Sequence, residues 1–260
     1  MAALDISLKN VNFSNKYFEV ARYIDDLLPR QSATKVDIPK VPGYTQLFKK
    51  FLPREIKIWG ILYATSSAQL LTRIESFRDF LYSPDSEQLI FNNKSDRYYL
   101  VEFQEKVELA KRRDFVPLQL EFIANDPFGY AITGDEVNET GITVKGHTWN
   151  VSNAGQYYAY PTITITFNQS QTHIYIENNN ITDSRFDISK SFTNGNVLVV
   201  NSKTMVITLG GVHSPAGFGD GGDGKADIIL LRVGNNEFEV GTDDATLNVD
   251  IKINFNKTYL

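Results

Sequence analysis

Cysteine and long apolar runs are both absent from this chain of 260 residues. Without cysteine, the protein can form neither a disulfide framework nor a thiolate metal site. No stretch reaches the roughly 18 consecutive apolar residues that a membrane-spanning helix needs. The first residues, Met1 to Ser7, lack the basic start and apolar run of a secretory signal. We therefore expect a soluble protein with no membrane contact.

Charge is unevenly divided between the two halves of the chain. Residues 1–130 carry 18 Lys and Arg and 17 Asp and Glu, whereas residues 131–260 carry 8 and 14. The change falls near Asp126-Pro127-Phe128-Gly129, and such a shift is typical of two folding units. We predict an N-terminal domain over 1–130 and a C-terminal domain over 131–260. The acidic second half would repel a phosphate backbone, so we expect no contact with nucleic acid.

Residues that could carry catalysis are present, but they form no catalytic pattern. His147, His173 and His213 lie far apart without metal-ligand spacing, and we expect all three at the surface. The sequence contains no Gly-x-Ser-x-Gly elbow. Glycoside hydrolysis needs two carboxylates at a set distance across a cleft, and acidic residues that are close in sequence do not show such a pair. We predict that the protein is not an enzyme and uses no cofactor.

The loop from Gly217 to Asp227 is rich in glycine and carries three carboxylates, those of Asp220, Asp223 and Asp227. Clustered oxygen ligands favour Ca²⁺, which makes this loop a candidate metal site. The spacing differs from that of an EF-hand and no Glu closes the loop, so we expect a mobile loop without metal, with a Ca²⁺ site as the alternative.

The first half is predicted to be a sheet that carries one helix, an α+β arrangement. Ser66 or Ser67 can cap the helix, apolar residues follow at helical spacing to Leu81, and Pro84 lies beyond its end. Alternating or apolar runs predict strands, listed here by residue range: 4–13, 16–24, 54–62, 89–91, 98–106 and 115–123.

A proline-rich segment over residues 28–53 interrupts this pattern. Its prolines exclude a helix and leave an extended arm or short edge strands. It ends in an aromatic group, Tyr44, Phe48 and Phe51. A connection of this length either reaches for a partner or forms a surface hairpin packed on its own domain, and both readings stay open.

The second half is predicted to be an antiparallel β-sandwich, because many short strands follow one another without a helical period. Residues 162–167 and 247–255 alternate apolar and polar side chains. Asn194-Gly195 and Gly234-Asn235-Asn236 are predicted hairpin turns, since Asn and Gly tolerate positive φ.

The order of these pieces resembles the distal tail proteins (Dit) of long-tailed siphophages. Residues 41–61, with Val41-Pro-Gly-Tyr followed by Arg54-Glu-Ile, resemble the arm and strand of that family, and the helix at 66–82 follows in order. Asp126-Pro127-Phe128 resembles the domain junction, and Tyr160-Pro161-Thr-Ile resembles the opening of the C-terminal sandwich.

The resemblance implies a homohexameric ring built by the N-terminal domains, with a galectin-like C-terminal sandwich projecting outward. Such a ring joins the tail tube protein to a tail-associated hub or lysin protein and to receptor-binding proteins. It implies a virion component at the distal end of the tail, assembled in the cytoplasm of the host bacterium. Tyr44, Phe48 and Phe51 are our candidates for the apolar anchors of the ring interface.

A second reading of the residues is a carbohydrate-binding protein that uses the C-terminal sandwich. Tyr157, Tyr158 and Tyr160 could stack on a sugar ring, although tyrosines before a core strand are as often packing residues.

Overall fold

The computed structural model divides the chain into two compact units, unit 1 over Met1–Ile132 and unit 2 over Thr133–Tyr259. It describes residues 4–25, 28–37, 44–104, 114–213 and 229–260. The predicted fold class is confirmed: the protein is mainly β, with antiparallel sheets and one α-helix among the described residues. No helix in this part of the chain has the length and apolar character needed to cross a membrane.

Unit 1 is a sheet whose inner face packs against the helix. Its strands are β1 Ile6–Leu8, β2 Val11–Asn12, β3 Phe18–Asp25, β4 Gln31–Asp37, β5 Tyr44–Phe51, β6 Arg54–Tyr63, β7 Glu87–Phe91, β8 Arg97–Gln104, β9 Phe115–Ala124 and β10 Gly129–Ala131. The main sheet has the order β2-β1-β7-β8-β9-β6-β3, and every neighbouring pair is antiparallel.

The two long central strands of this sheet, β6 and β9, show which side chains face the core and which face outward. Strands β6 and β9 pair over their full length, from Arg54 opposite Ala124 to Tyr63 opposite Phe115. Because side chains alternate along a strand, Ile56, Ile58 and Leu62 enter the core while their neighbours point outward.

The single helix, α1 Ser67–Leu81, begins and ends where its sequence predicts. Ser66 is the N-cap, and its hydroxyl accepts a hydrogen bond from the backbone N–H of Gln69 at 3.3 Å. Leu70, Phe77 and Leu81 are buried in the unit 1 core. The helix therefore covers the inner face of the sheet and leaves its opposite side exposed.

The first predicted strand, residues 4–13, is divided in the structure. Lys9 and Asn10 have φ of 54° and 59° and form a tight turn between β1 and β2. A short 3₁₀ turn, Phe13–Lys16, follows. Consecutive left-handed residues reverse the chain, so one extended run becomes a hairpin.

Unit 2 is the predicted sandwich. Its strands are β11 Asp135–Ile142, β12 His147–Asn153, β13 Thr162–Phe167, β14 Gln171–Asn178, β15 Arg185–Phe192, β16 Val197–Asn201, β17 Val206–Leu209, β18 Val212–His213, β19 Gly234–Gly241, β20 Val249–Phe255 and β21 Thr258–Tyr259. One sheet has the order β11-β20-β13-β16-β17-β18 and the other β12-β19-β14-β15.

Apolar side chains from both sheets form one core in unit 2. Phe167 of β13 and Phe192 of β15 stack across it with their ring centroids 4.1 Å apart. The predicted turn at Asn194-Gly195 connects β15 to β16, and Gly195 has φ of 85°. The predicted turn at 234–236 is wrong, because these residues begin β19 and pair with β12.

Candidate assembly surface

The proline-rich segment forms an antiparallel hairpin of strands β4 and β5. Its register runs from Gln31 opposite Phe51 to Asp37 opposite Tyr44, with a bulge between Thr34 and Lys35. The backbone N–H of Leu52 donates to the carbonyl of Arg30 at 2.8 Å and closes its base. The described strands form a sheet of their own, separate from the main sheet of unit 1.

The three predicted anchor residues all lie on β5, and the hairpin presents them differently. Phe48 is 56% exposed, which is unusual for a phenyl ring. Phe51 is half-buried, and its ring lies 5.1 Å from that of Phe128 in the same unit. Tyr44 begins the strand, and its side chain lies outside the described part. The hairpin therefore combines an internal aromatic contact at its base with an exposed ring farther along.

An exposed aromatic cluster lies on the same unit, where the 3₁₀ turn meets the end of β6. Tyr17 has φ of 60°, an uncommon conformation for a bulky residue. Its ring packs edge-on against Tyr63, and the guanidinium of Arg73 lies 3.5 Å from its centroid. Arg73 also donates to the carbonyl oxygen of Tyr63 at 2.6 Å. Aromatic and arginine side chains of this kind are common in protein–protein interfaces.

The three histidines do not come together. His147 begins β12, where its ring stacks on Trp149, and His213 lies on the short strand β18. The expectation that all three lie at the surface is wrong for His173, which is only 6% exposed. His173 alternates with Ile174 along β14 as predicted, but side chains beside it, such as Tyr175 and Asp187, cover its ring.

His173 belongs to a polar network rather than to a catalytic site. Its Nε2 lies 2.6 Å from Oδ1 of Asp187, and its Nδ1 accepts the backbone N–H of Asp243 at 3.0 Å. Arg185 donates to Asp187 at 2.8 Å. The Nε2–Asp187 contact joins β14 to β15, and the contact of Nδ1 holds the loop after β19 against β14. Both ring nitrogens are thus engaged in structural contacts.

Asp244 also holds the loop after β19 against β14. Burial acts to raise its pKa, but hydrogen bonds from the Thr172 hydroxyl, the backbone N–H groups of Thr172 and His173 and the Thr242 hydroxyl lower the pKa overall. This carboxylate therefore has a structural role as an acceptor for the start of β14.

The calcium candidates Asp220, Asp223 and Asp227 lie outside the described residues. Within the described ranges, His, Asp and Glu side chains form no group of three that could hold a metal ion.

The tyrosines considered for sugar stacking lie before β13. Tyr157 and Tyr158 pack edge to face at 5.4 Å, and Tyr158 and Tyr160 are each about two-fifths exposed, at 41% and 40%. Burial, together with the neighbouring Tyr160 and Tyr158, raises the pKa of Tyr157. Tyr157 and Tyr158 thus pack against each other, while Tyr158 and Tyr160 remain partly exposed.

Comparison with known proteins covers both units. The family model for the phage tail protein RIFT-related domain matches residues 11–124. The model for the siphovirus-type tail component, C-terminal domain (SPP1 Dit), matches residues 154–259. No curated protein sequence matches the chain.

Among solved structures, the Dit protein of phage SPP1 is similar over 99% of both chains, with a TM-score of 0.79 and 18% identity. That protein is described as a paradigm of the hub adsorption apparatus in phages that infect Gram-positive bacteria. Two structures of the activated phage P2 baseplate, with Ca and with Sr, give TM-scores of 0.46 at 9% and 8% identity over 98% and 97% of the chains. The predicted resemblance is confirmed: the chain belongs to the siphophage distal tail protein (Dit) family, whose members are structural components of phage tails.

Proposed function

We propose that this protein is a non-enzymatic hub at the distal end of the tail, where six copies of unit 1 close into a ring. The ring joins the tail tube protein to a tail-associated hub or lysin protein and to receptor-binding proteins. Assembly takes place in the cytoplasm of the host, before the virion is released. The observation that carries this proposal is the likeness to a Dit hub over the whole chain, together with both family models.

The hairpin supports a ring because it offers an extended element to a neighbour. A ring requires heterologous contacts, in which a feature of one copy meets a different surface of the next. Each contact must bury more than roughly 1,000 Å² to persist. Phe48, exposed on a two-stranded hairpin, provides apolar area that its own unit does not cover. We assign Tyr44, Phe48 and Phe51 to this interface.

The double variant Phe48→Ala/Phe51→Ala tests the assignment by light scattering. We expect it to remain folded and to lose the oligomer. The single variant Phe48→Ala separates the two roles, because Phe51 also packs on Phe128 within its own unit. Val212→Ser is a matched control, since Val212 is 71% exposed on unit 2. An intact oligomer in the folded double variant would remove these residues from the interface.

The carbohydrate-binding alternative is not favoured, because both family models describe tail components. A glycan array distinguishes the two functions. A pure hub gives no signal above background, whereas a specific signal that disappears on Tyr158→Ala would support sugar recognition.

A further inference from the structure

The outer face of the unit 1 sheet carries an exposed strip of aromatic and apolar side chains. Trp59, Ile61 and Tyr63 follow one another on the outward side of β6, and Ile61 is 38% exposed. Arg22 of the edge strand β3 lies over Trp59, with 4.4 Å between its guanidinium carbon and the ring centroid. We call Arg22, Trp59, Ile61 and Tyr63 the sheet strip. Trp, Tyr and Arg are the residues that most often dominate binding energy in interfaces.

The outer side of helix α1 carries a second exposed line of residues. Leu71, Glu75 and Asp79 are spaced four apart and lie on one side of the helix, and Tyr82 continues the line at its end. Leu71 is 51% exposed and Tyr82 is 73% exposed. We call these four residues the helix stripe. Its two carboxylates lie between two apolar side chains.

Apart from Tyr63, whose ring and carbonyl oxygen contact Arg73 of the helix, the sheet strip and the helix stripe face in opposite directions. The helix buries Leu70 and Phe77 in the same core that receives Ile58 and Leu62 from the inner face of β6. A residue line on the outer side of each layer must therefore point away from that shared core. Heterologous, head-to-tail association joins two different surfaces of neighbouring copies, and these two faces differ in this way.

The two faces also complement each other in charge. Arg22 forms no ion pair with any described residue and lies over the Trp59 ring, while Glu75 has no ion pair within the same described ranges. The strip also carries one acid, Glu19, opposite Ile61, and the helix carries one exposed base, Arg78, beside Asp79. Arg22 on the sheet and Glu75 on the helix are therefore opposite charges that no described ion pair neutralises.

We propose that the helix stripe of one copy docks on the sheet strip of the next, with Glu75 paired to Arg22. This inference rests on the proposed ring and names a second contact within it, distinct from the hairpin. The apolar ends of the stripe cover Ile61 and Tyr63, and the contact removes the Arg22–Glu75 pair from water. A charge pair in such a dry contact specifies register and orientation.

Charge reversal and exchange test the pairing directly. Arg22→Glu and Glu75→Arg are each compared with wild type by analytical ultracentrifugation of the full chain, alongside the exchanged double variant Arg22→Glu/Glu75→Arg. We expect each single variant to weaken self-association by about tenfold or more, and the double variant to recover most of it. Lys145→Glu on unit 2 makes the same change in net charge as Arg22→Glu at an exposed site and should have no effect.

Circular dichroism melting checks that each variant is folded, and the neutral variants Arg22→Gln and Glu75→Gln replace any that is not. If wild type assembles but the single variants assemble equally well, or the double variant is no better than they are, the stripe-on-strip contact is overturned while the ring proposal stands. If wild type is monomeric, both proposals fall together.

Discussion

Asn236 holds three segments of unit 2 together through one buried amide. Its Oδ1 accepts from the backbone N–H of Arg232 at 2.9 Å and from the side chain of Asn178 at 3.0 Å. Its Nδ2 donates to the carbonyl oxygens of Val151, Arg232 and Gly234. Every polar atom of the side chain is therefore satisfied inside the core, where an unmatched group would be costly.

We predict that Asn236→Ala lowers the free energy of unfolding of unit 2 by about 2–4 kcal/mol, because it leaves several buried backbone groups unpaired. Chemical denaturation measures the change. Asn235→Ala, which removes an exposed hydrogen bond to Asn150, is the control and should cost less than about 0.5 kcal/mol. Equal effects of the two variants would contradict the role assigned to Asn236.

Glu136 makes the stability of unit 2 sensitive to acid. Hydrogen bonds from Lys252, Asn138 and Asn254 lower its pKa from 4.5 to about 2. The Lys252 ammonium lies 2.6 Å from the carboxylate. A lowered pKa in the folded state means that this contribution is present above pH 4.5 and is lost as the pH falls toward 2.

We therefore expect Glu136→Gln to lower the melting temperature at pH 6 and to converge with wild type as the pH approaches 2. Lys252→Met should flatten the same part of the pH profile, since it removes the main partner of the carboxylate. A constant difference between Glu136→Gln and wild type across this range would show that the charge of Glu136 does not contribute.

At the scale of elements, the N-cap of α1 makes a measurable contribution. We predict that Ser66→Ala destabilises unit 1 by about 1 kcal/mol, because the N–H of Gln69 loses its acceptor. Thr or Asp at position 66 should restore most of the loss, as seen by thermal or urea unfolding. If Ser66→Asp were no more stable than Ser66→Ala, the cap would not be the cause.

The elements whose pattern is local were predictable from the sequence. The α1 boundaries follow from a serine cap, helical apolar spacing and a later proline, and β6 and β9 follow from the alternating runs at 54–62 and 115–123. For residues 28–53 the sequence left two interpretations open, an arm that reaches a partner and a surface hairpin. Prolines exclude a helix, but they are compatible with both of these structures.

Other features depend on contacts that a sequence pattern does not contain. Arg54 begins a strand of alternating charge, yet it lies on the inner face with Ile56 and is 1% exposed. It donates to the hydroxyl of Tyr99, 45 residues away. Likewise, a Gly-Asn-Asn run predicts a turn, but the fold places Asn236 in β19, where long-range hydrogen bonds outweigh local turn preference.

The whole molecule combines two units with different surfaces. The first half has nearly balanced charge and the second half is acidic. In unit 1, exposed aromatic side chains lie on the hairpin, beside Arg73 and along the outer face of β6. Exposed aromatic side chains grouped on one unit are typical of a surface that another protein covers. This distribution supports assembly through unit 1.

Native mass spectrometry of the full chain tests the ring most directly. We predict a dominant species of six times the 29.4 kDa chain mass at micromolar concentration, which should dissociate when Phe48 is replaced by alanine. Only the mass of a single chain, unchanged as the concentration is raised a hundredfold, would contradict the hexameric hub.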